Sequence, residues 1–204
     1  QTSDMEINTR VCECCPTSAV VTTDGVLTAF RDRDPNEVRD IHVSRLENGA
    51  WTAAVPVHRD NWEIYAGPVN GAMLSARGRS VAAAWFTVKN DQGQVYVAFS
   101  EDAGRTWGAP IRLDDGGSLG RVDIELLDNG RAVATWVEFV DQRSEVRVRL
   151  VDPGGARSPA VTVAEHPSSG IPQMARQGSD LLLTWTESAD DGTQMVKAAV
   201  ARLP

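Results

Sequence analysis

Apolar residues along this chain recur in short runs, not in helical stripes, and the runs repeat. Four times a glycine-marked turn is followed by an apolar strand ending on an aromatic residue: Val26–Phe30, Ser80–Trp85, Arg131–Trp136 and Asp180–Trp185. A second, alternating strand follows each of them, at Asp40–Leu46, Gln94–Ser100, Glu145–Leu150 and Gln194–Leu203. Trp85 and Trp136 stand 51 residues apart, and Trp136 and Trp185 stand 49 apart. A unit of about fifty residues made only of strands cannot bury both faces of its small sheet without a neighbour. The pattern therefore predicts an all-β fold, a β-propeller with four visible blades in one domain. The blades fall near residues 11–60, 61–116, 117–165 and 166–204, and they either close a small ring or form part of a six-bladed one.

Turn residues divide the repeats further. In the second, Arg77-Gly78 and the stretch Asn90 to Gly93 separate strands over Val69–Ala76, Ser80–Lys89, Gln94–Ser100 and Pro110–Leu113, because Gly and Asn tolerate the backbone angles of tight turns. The third repeat parses the same way, with Asp128-Asn129-Gly130 between Arg121–Leu127 and Ala132–Phe139, then Glu145–Val151 and Ala160–Ala164. Val81–Trp85 has helical propensity, but its flanking turns and repeat partners favour a strand.

Charge narrows the partners. Twenty basic residues against twenty-eight acidic ones give a net charge of −8, and no basic stretch could track phosphates, so nucleic acid is excluded as an expected partner. No apolar run approaches the roughly 20 residues that span a bilayer, and the first thirty residues contain no signal-peptide core. The chain reads as soluble, with Gln1 pointing to a processed or truncated N-terminus.

Three cysteines, Cys12, Cys14 and Cys15, lie in one segment. The odd number allows one internal disulfide, Cys12 with Cys14 or Cys15, since bridging adjacent residues forces an awkward peptide geometry. The remaining thiol is free, metal-bound or paired with another chain. Thiolates at these positions, joined by His58 or Met73, would suit copper or zinc, although Cys-x-Cys-Cys is not a standard zinc spacing. The competing expectation is a disulfide that pins the N-terminal strand, plus one buried thiol.

Innermost propeller strands line the axis, and function gathers at one mouth of that channel. The inner strands begin near residues 15–17, 68–70, 120–123 and 171–173, so Thr17, Asn70, Arg121, Asp123 and Gln173 are expected around a shared opening, as ligand contacts or as partners for exposed strand ends. Two residues past each aromatic come Asp32, Thr87, Glu138 and Glu187, on the same strand face as the ring. They form either an acidic rim or solvated strand ends. Arg31, Arg33 and Arg39, each beside an aspartate, read as an anion site or as an Arg–Asp network within a hairpin. His42, His58 and His166 are scattered and fall in no recognisable motif.

One loop carries a family signature. Ser100-Glu101-Asp102-Ala103-Gly104-Arg105-Thr106-Trp107 matches Ser-x-Asp-x-Gly-x-Thr-Trp, and the chain here resembles the Asp-box hairpin of BNR, sialidase-like propellers. Ser44 to Trp51 is a degraded copy with the same step from Ser to Trp. Asp102 is expected to accept hydrogen bonds from the turn, Gly104 to permit the bend and Trp107 to pack beneath, all in a structural role. The segments Cys12–Cys15, Phe30–Arg33, Arg39-Asp40, Pro68–Gly71 and Gly120–Asp123 are similar to those of a group of bacterial exported proteins described as sialidase-like, across most of the chain. Members of that group are typically longer, and a cysteine usually precedes their Pro-Val-Asn-Gly segment, where this chain has Gly67.

The resemblance implies an exported binding or interaction module whose axial mouth takes a small polar ligand, such as a carbohydrate, or another protein chain. It also implies an alternative, an exo-acting sialidase-type glycosidase with Arg31, Arg33 and Arg121 on the sugar carboxylate and Asp32 or Asp123 as acid/base. Such enzymes use a tyrosine nucleophile backed by a glutamate. Of the two tyrosines here, Tyr96 lies in an outer-strand pattern and Tyr65 precedes an inner strand without an identifiable glutamate, so the expectation leans away from an enzyme.

Overall fold

A computed structural model describes residues 4–165, 170–189 and 191–203. His166 lies outside the described residues. Four antiparallel sheets follow one another along the chain. Blade I contains β1 (Ser18–Thr22), β2 (Gly25–Arg31), β3 (Ile41–Glu47) and β4 (Ala50–Trp51), with β5 (Val55–Pro56) also on β3. Blade II is β6 (Ala72–Arg77), β7 (Ser80–Lys89), β8 (Gln92–Ser100) and β9 (Ile111–Arg112). Blade III is β10 (Ser118–Leu126), β11 (Ala132–Val140), β12 (Arg143–Val151) and β13 (Val161–Glu165). Blade IV is β14 (Gln173–Gln177), β15 (Asp180–Ser188) and β16 (Gln194–Arg202). The fold is the all-β propeller type that the repeats predict. Among the described residues, no helix is long and apolar enough to cross a membrane.

The core lies between blades. One cluster joins Leu27, Ala29, Ile41 and Val43 of blade I to Leu74, Val81, Ala83 and Trp85 of blade II. A second joins Ala82, Ala84 and Phe86 to Ile124, Leu126, Ala132 and Trp136, and a third joins Val133 and Val146 to Leu181, Leu183 and Trp185. Alternate residues of β7 thus serve opposite interfaces, which explains why Val81–Phe86 is apolar without a break. Trp85, Trp136 and Trp185 each face the preceding blade. Trp85 and Trp136 are almost fully buried, and truncating either to alanine is worth about 3–5 kcal/mol. Among the described residues, blade IV shares its core with blade III. Leu181 and Leu183 are buried while Leu182, Val196 and Val200 are exposed, and among the described residues no core cluster joins blade IV to blade I.

Polar inner-strand side chains stitch each interface. Ser18 Oγ accepts from Leu74 N–H at 3.1 Å, Ser75 Oγ from Leu126 N–H at 2.9 Å, and Asp123 Oδ2 from Met174 N–H at 2.6 Å. Two strand starts differ from the sequence reading. β6 begins at Ala72, not Val69, because Val69 has a left-handed φ of 54° that interrupts an extended strand. β10 begins earlier, at Ser118, and carries register shifts around Gly120 and Arg121, where φ is 78° and 56°.

Candidate functional site

The mouth residues form a chain of contacts across three blades. Arg31 Nε donates to Asn70 O at 2.7 Å, and Asn70 Oδ1 in turn accepts from Arg121 N–H at 2.7 Å. Asn70 Nδ2 donates to Pro68 O and Leu119 O. Asn70 therefore ties the strained Val69 turn to the β10 bulge, and such strain persists only where surroundings over-determine it. Asp123, two residues on, accepts from Ile124 N–H and Met174 N–H, beside the exposed Gln173. Burial lifts its carboxyl to about 6, outweighing those two hydrogen bonds. Thr17 is exposed just before β1. Asn70 and Arg121 touch, and Asp123 reaches the residue next to Gln173.

The arginine-rich segment is mostly the internal network. Arg31 is only 1 % exposed. Its Nη1 and Nη2 donate to Arg39 O and Phe86 O, both at 2.6 Å, and its guanidinium lies 5.0 Å above the Trp62 ring. The structure places Arg31 differently from a ligand-gripping arginine: its buried guanidinium is spent on three carbonyls and holds blades I and II together. Arg33 makes a fork to Glu37, and Arg39 adds a further bond, so hydrogen bonds from Arg33 above all hold the Glu37 carboxyl down to about 2. Asp40 receives Asn61 N–H and Trp62 N–H. Asp32 accepts from Asn8 Nδ2 at 2.6 Å and lies 3.8 Å from His42 Nδ1, which sets it on blade I against the N-terminal segment.

The recurring acids two residues past the aromatics do not gather into a rim. Trp136 Nε1 donates to Glu138 Oε2 at 2.6 Å, and Trp185 Nε1 to Glu187 Oε2 at 3.1 Å, so each serves its own blade's indole. Burial raises the Glu138 carboxyl. In blade II the position is Thr87, and Trp85 Nε1 donates to Asp60 Oδ2 at 2.7 Å instead. Asp60 comes from the segment after β5 and had no repeat partner to mark it. Glu63, hydrogen-bonded to the exposed Tyr65 and raising its phenol, was likewise invisible to spacing.

The three thiols converge, with all three sulfurs within 4.8 Å of one another. Cys12 Sγ lies 2.6 Å from Cys15 Sγ and 3.6 Å from Cys14 Sγ, and Arg39 Nη1 points at Cys12 Sγ from 3.6 Å. Burial opposes a Cys12 thiolate, but hydrogen bonds from Cys15, Cys14 and Arg39 prevail and lower it, while burial pushes Cys15 up to about 12. Tetrahedral zinc at 2.3 Å from each sulfur would hold them about 3.8 Å apart. The Cys12–Cys14 separation suits that edge and the Cys12–Cys15 separation does not. A Cβ at Gly67 would press on Cys14 Sγ, so position 67 abuts the leftover thiol.

The 100–107 loop is closed by side chains. Asp102 accepts from Thr106 N–H at 2.8 Å and Thr106 Oγ1 at 2.6 Å, and Ser100 Oγ accepts from Gly104 N–H at 2.9 Å. Burial works against the Asp102 charge, yet the bonds from Thr106 and from the Ser100 hydroxyl hold its carboxyl near 2. Trp107 packs on the blade I–II cluster. Arg105 crosses to Asp24 and Glu47 on blade I.

No family model and no curated protein matches the sequence. Solved structures do resemble the fold. A protein of unknown function from Dyadobacter fermentans superimposes with a TM-score of 0.58 at 14% identity, over 91% of this chain and 68% of that one. An alpha-L-arabinofuranosidase from Clostridium thermocellum gives 0.54 at 13% identity, over 92% of this chain and 68% of that one. The endosialidase of phage phi92 gives 0.64 at 8% identity, over 92% of this chain but only 35% of its own length. At such identities the shared property is architecture: this chain has the propeller fold on which those glycan-directed enzymes are built.

Proposed function

We propose that the chain is an exported, sialidase-like propeller module that binds a polar, carbohydrate-class ligand at the mouth formed by the inner-strand starts of blades II to IV. The observation that carries this reading is the bulge at Gly120 and Arg121, braced by Asn70 from blade II. It sets a part-exposed arginine beside a buried carboxyl lifted to about 6 and an exposed amide, Gln173, from the next blade. Cation, acid and amide from adjacent blades are the polar set that orients a sugar. Binding is favoured over sialidase-type hydrolysis because Arg31 is consumed by the core and Asp32 by Asn8 and His42.

The sulfur separations favour a Cys12–Cys15 disulfide with Cys14 left over, over a copper or zinc site, and such a bond suits an exported protein. A mass lower by two hydrogens without a metal adduct supports the disulfide; a stoichiometric zinc or copper adduct lost in Cys14→Ser overturns it.

An oligosaccharide array is the test of function. Wild-type protein should retain at least one arrayed glycan, and Arg121→Ala, with an unchanged melting temperature, should lose it. Retention by the variant removes the ligand from the mouth, and silence across neutral and acidic glycans removes the carbohydrate class. Turnover of a fluorogenic sialoside that is abolished by Asp123→Asn would replace binding with hydrolysis.

A further inference from the structure

The exception in the tryptophan–acid pattern leaves a cleft that shares no residue with the mouth. In blades III and IV the residue two past the tryptophan is a glutamate that accepts the indole N–H. In blade II the shorter Thr87 stands there, and Asp60 takes the Trp85 indole from outside. The result is a cleft of about 450 Å³ between the 58–61 segment and strands β7 and β8.

Three features of this cleft bear on a ligand. Thr87 is 1 % exposed, lines the cleft, and its Oγ1 has no hydrogen-bond partner among the described residues. A buried hydroxyl left unpaired costs about 1–3 kcal/mol, so a ligand that engages it gains what the apo protein forgoes. Asp60 keeps Oδ1 toward His58 Nε2 at 3.7 Å while Oδ2 holds the indole. Burial, the main influence, raises that carboxyl. Lastly, Arg59 and Lys89 both line the cleft, and among the described residues neither head makes an ion pair. Most other cationic heads are matched to a carboxylate, as expected of a chain with a net charge of −8. Arg59 and Lys89, both exposed, thus place two cationic heads on one cleft without a carboxylate already holding either. Tyr96, stacked on Trp85 at 6.0 Å and 26°, supplies a rigid flat wall.

We propose that this cleft is a second site, off the axis, for a small hydroxylated oxyanion. Arg59 and Lys89 take the anionic group, and Asp60 and Thr87 take hydroxyls against the Tyr96 ring. Neither cations alone nor hydroxyl partners alone would define it; the pairing does.

Trp85 Nε1–H reports directly on the cleft through its bond to Asp60. Titrating the ¹⁵N-labelled full chain with glucuronate should shift the Trp85 indole resonance, whereas glucose, which lacks the charge, and acetate, which lacks the hydroxyls, should be weaker by about tenfold, the worth of one charge-assisted contact. Lys89→Met lies at an exposed strand end and Thr87→Val preserves shape; each should weaken glucuronate by about tenfold with the fold intact. An equal response to glucose or to acetate overturns the combined recognition, and no indole shift, or an unchanged response in Lys89→Met, overturns the site. Failure here leaves the array result at the mouth standing, because no residue is common to both.

Discussion

Replacing Arg31 by methionine isolates what a buried cation contributes to this propeller. The side chain stays long and apolar enough to cover Trp62, but carbonyls of Arg39, Asn70 and Phe86 lose their donors at 2.6, 2.7 and 2.6 Å. They belong to three segments, the approaches to β3 and β6 and strand β7, so no local shift re-pairs all of them. At about 1 kcal/mol or more per orphaned buried carbonyl the loss is roughly 3–5 kcal/mol. Relief from burying the charge, whose proton burial already loosens, works against this and sets the net near 3 kcal/mol. For a chain of this length that corresponds to a melting temperature lower by about 6–12 °C. Lysine at the same position keeps the desolvation cost but cannot span three carbonyls, so Arg31→Lys should be no better than methionine. Urea unfolding followed by tryptophan fluorescence measures both. A methionine variant within about 0.5 kcal/mol of wild type, or a lysine variant as stable as wild type, would refute the three-carbonyl account.

Gly67→Cys should bond to Cys14, because its Cβ arrives against that sulfur, and the oxidised protein should then show no free thiol; two free thiols by Ellman titration would mean the two do not meet. Gly67→Ser presents the same bulk without a bond and should lose stability. For Asp123, a folded-state carboxyl near 6 against an unfolded value of about 3.9 means the folded chain holds the proton more tightly. Its stabilising contribution is complete below about pH 4 and disappears as pH rises through 6, up to about 3 kcal/mol in all. Asp123→Asn should remove that share of the slope between pH 4 and 7, and parallel wild-type and variant curves would exclude the linkage.

Much of the architecture was legible because it is repetitive. Tryptophans spaced at 51 and 49 residues mark the repeats, and the unbroken apolar runs of β7 and β11 fit their two-sided burial, whereas the burial of β15 alternates under a sequence, Leu181-Leu182-Leu183, that does not announce it. The roles of single polar residues were less legible. Arg31 and Arg33 look alike in sequence, yet Arg31 is enclosed by segments up to 55 residues away while Arg33 meets Glu37 four residues on. Asp60 reaches Trp85 across 25 residues from an irregular segment, where no period could announce it. Val69 reads as strand by propensity and is held left-handed by its setting.

Repetition also separates scaffold from site. A feature present in several blades is explained by what every blade must do, as the indole acceptors Glu138 and Glu187 and the interblade acceptors Ser18 and Ser75 are. A feature confined to one blade has no such explanation. Among the described residues the β10 bulge with Arg121 and the Thr87 exception with Asp60 are of that second kind, and both lie toward the ends of blades II and III where inner strands begin. An ordinary packing demand would have been met by the glutamate used twice elsewhere. Among the described residues blade II instead leaves the buried Thr87 hydroxyl unpaired in a cleft that also carries two cationic heads, and recognition of a solute is the requirement we propose for it.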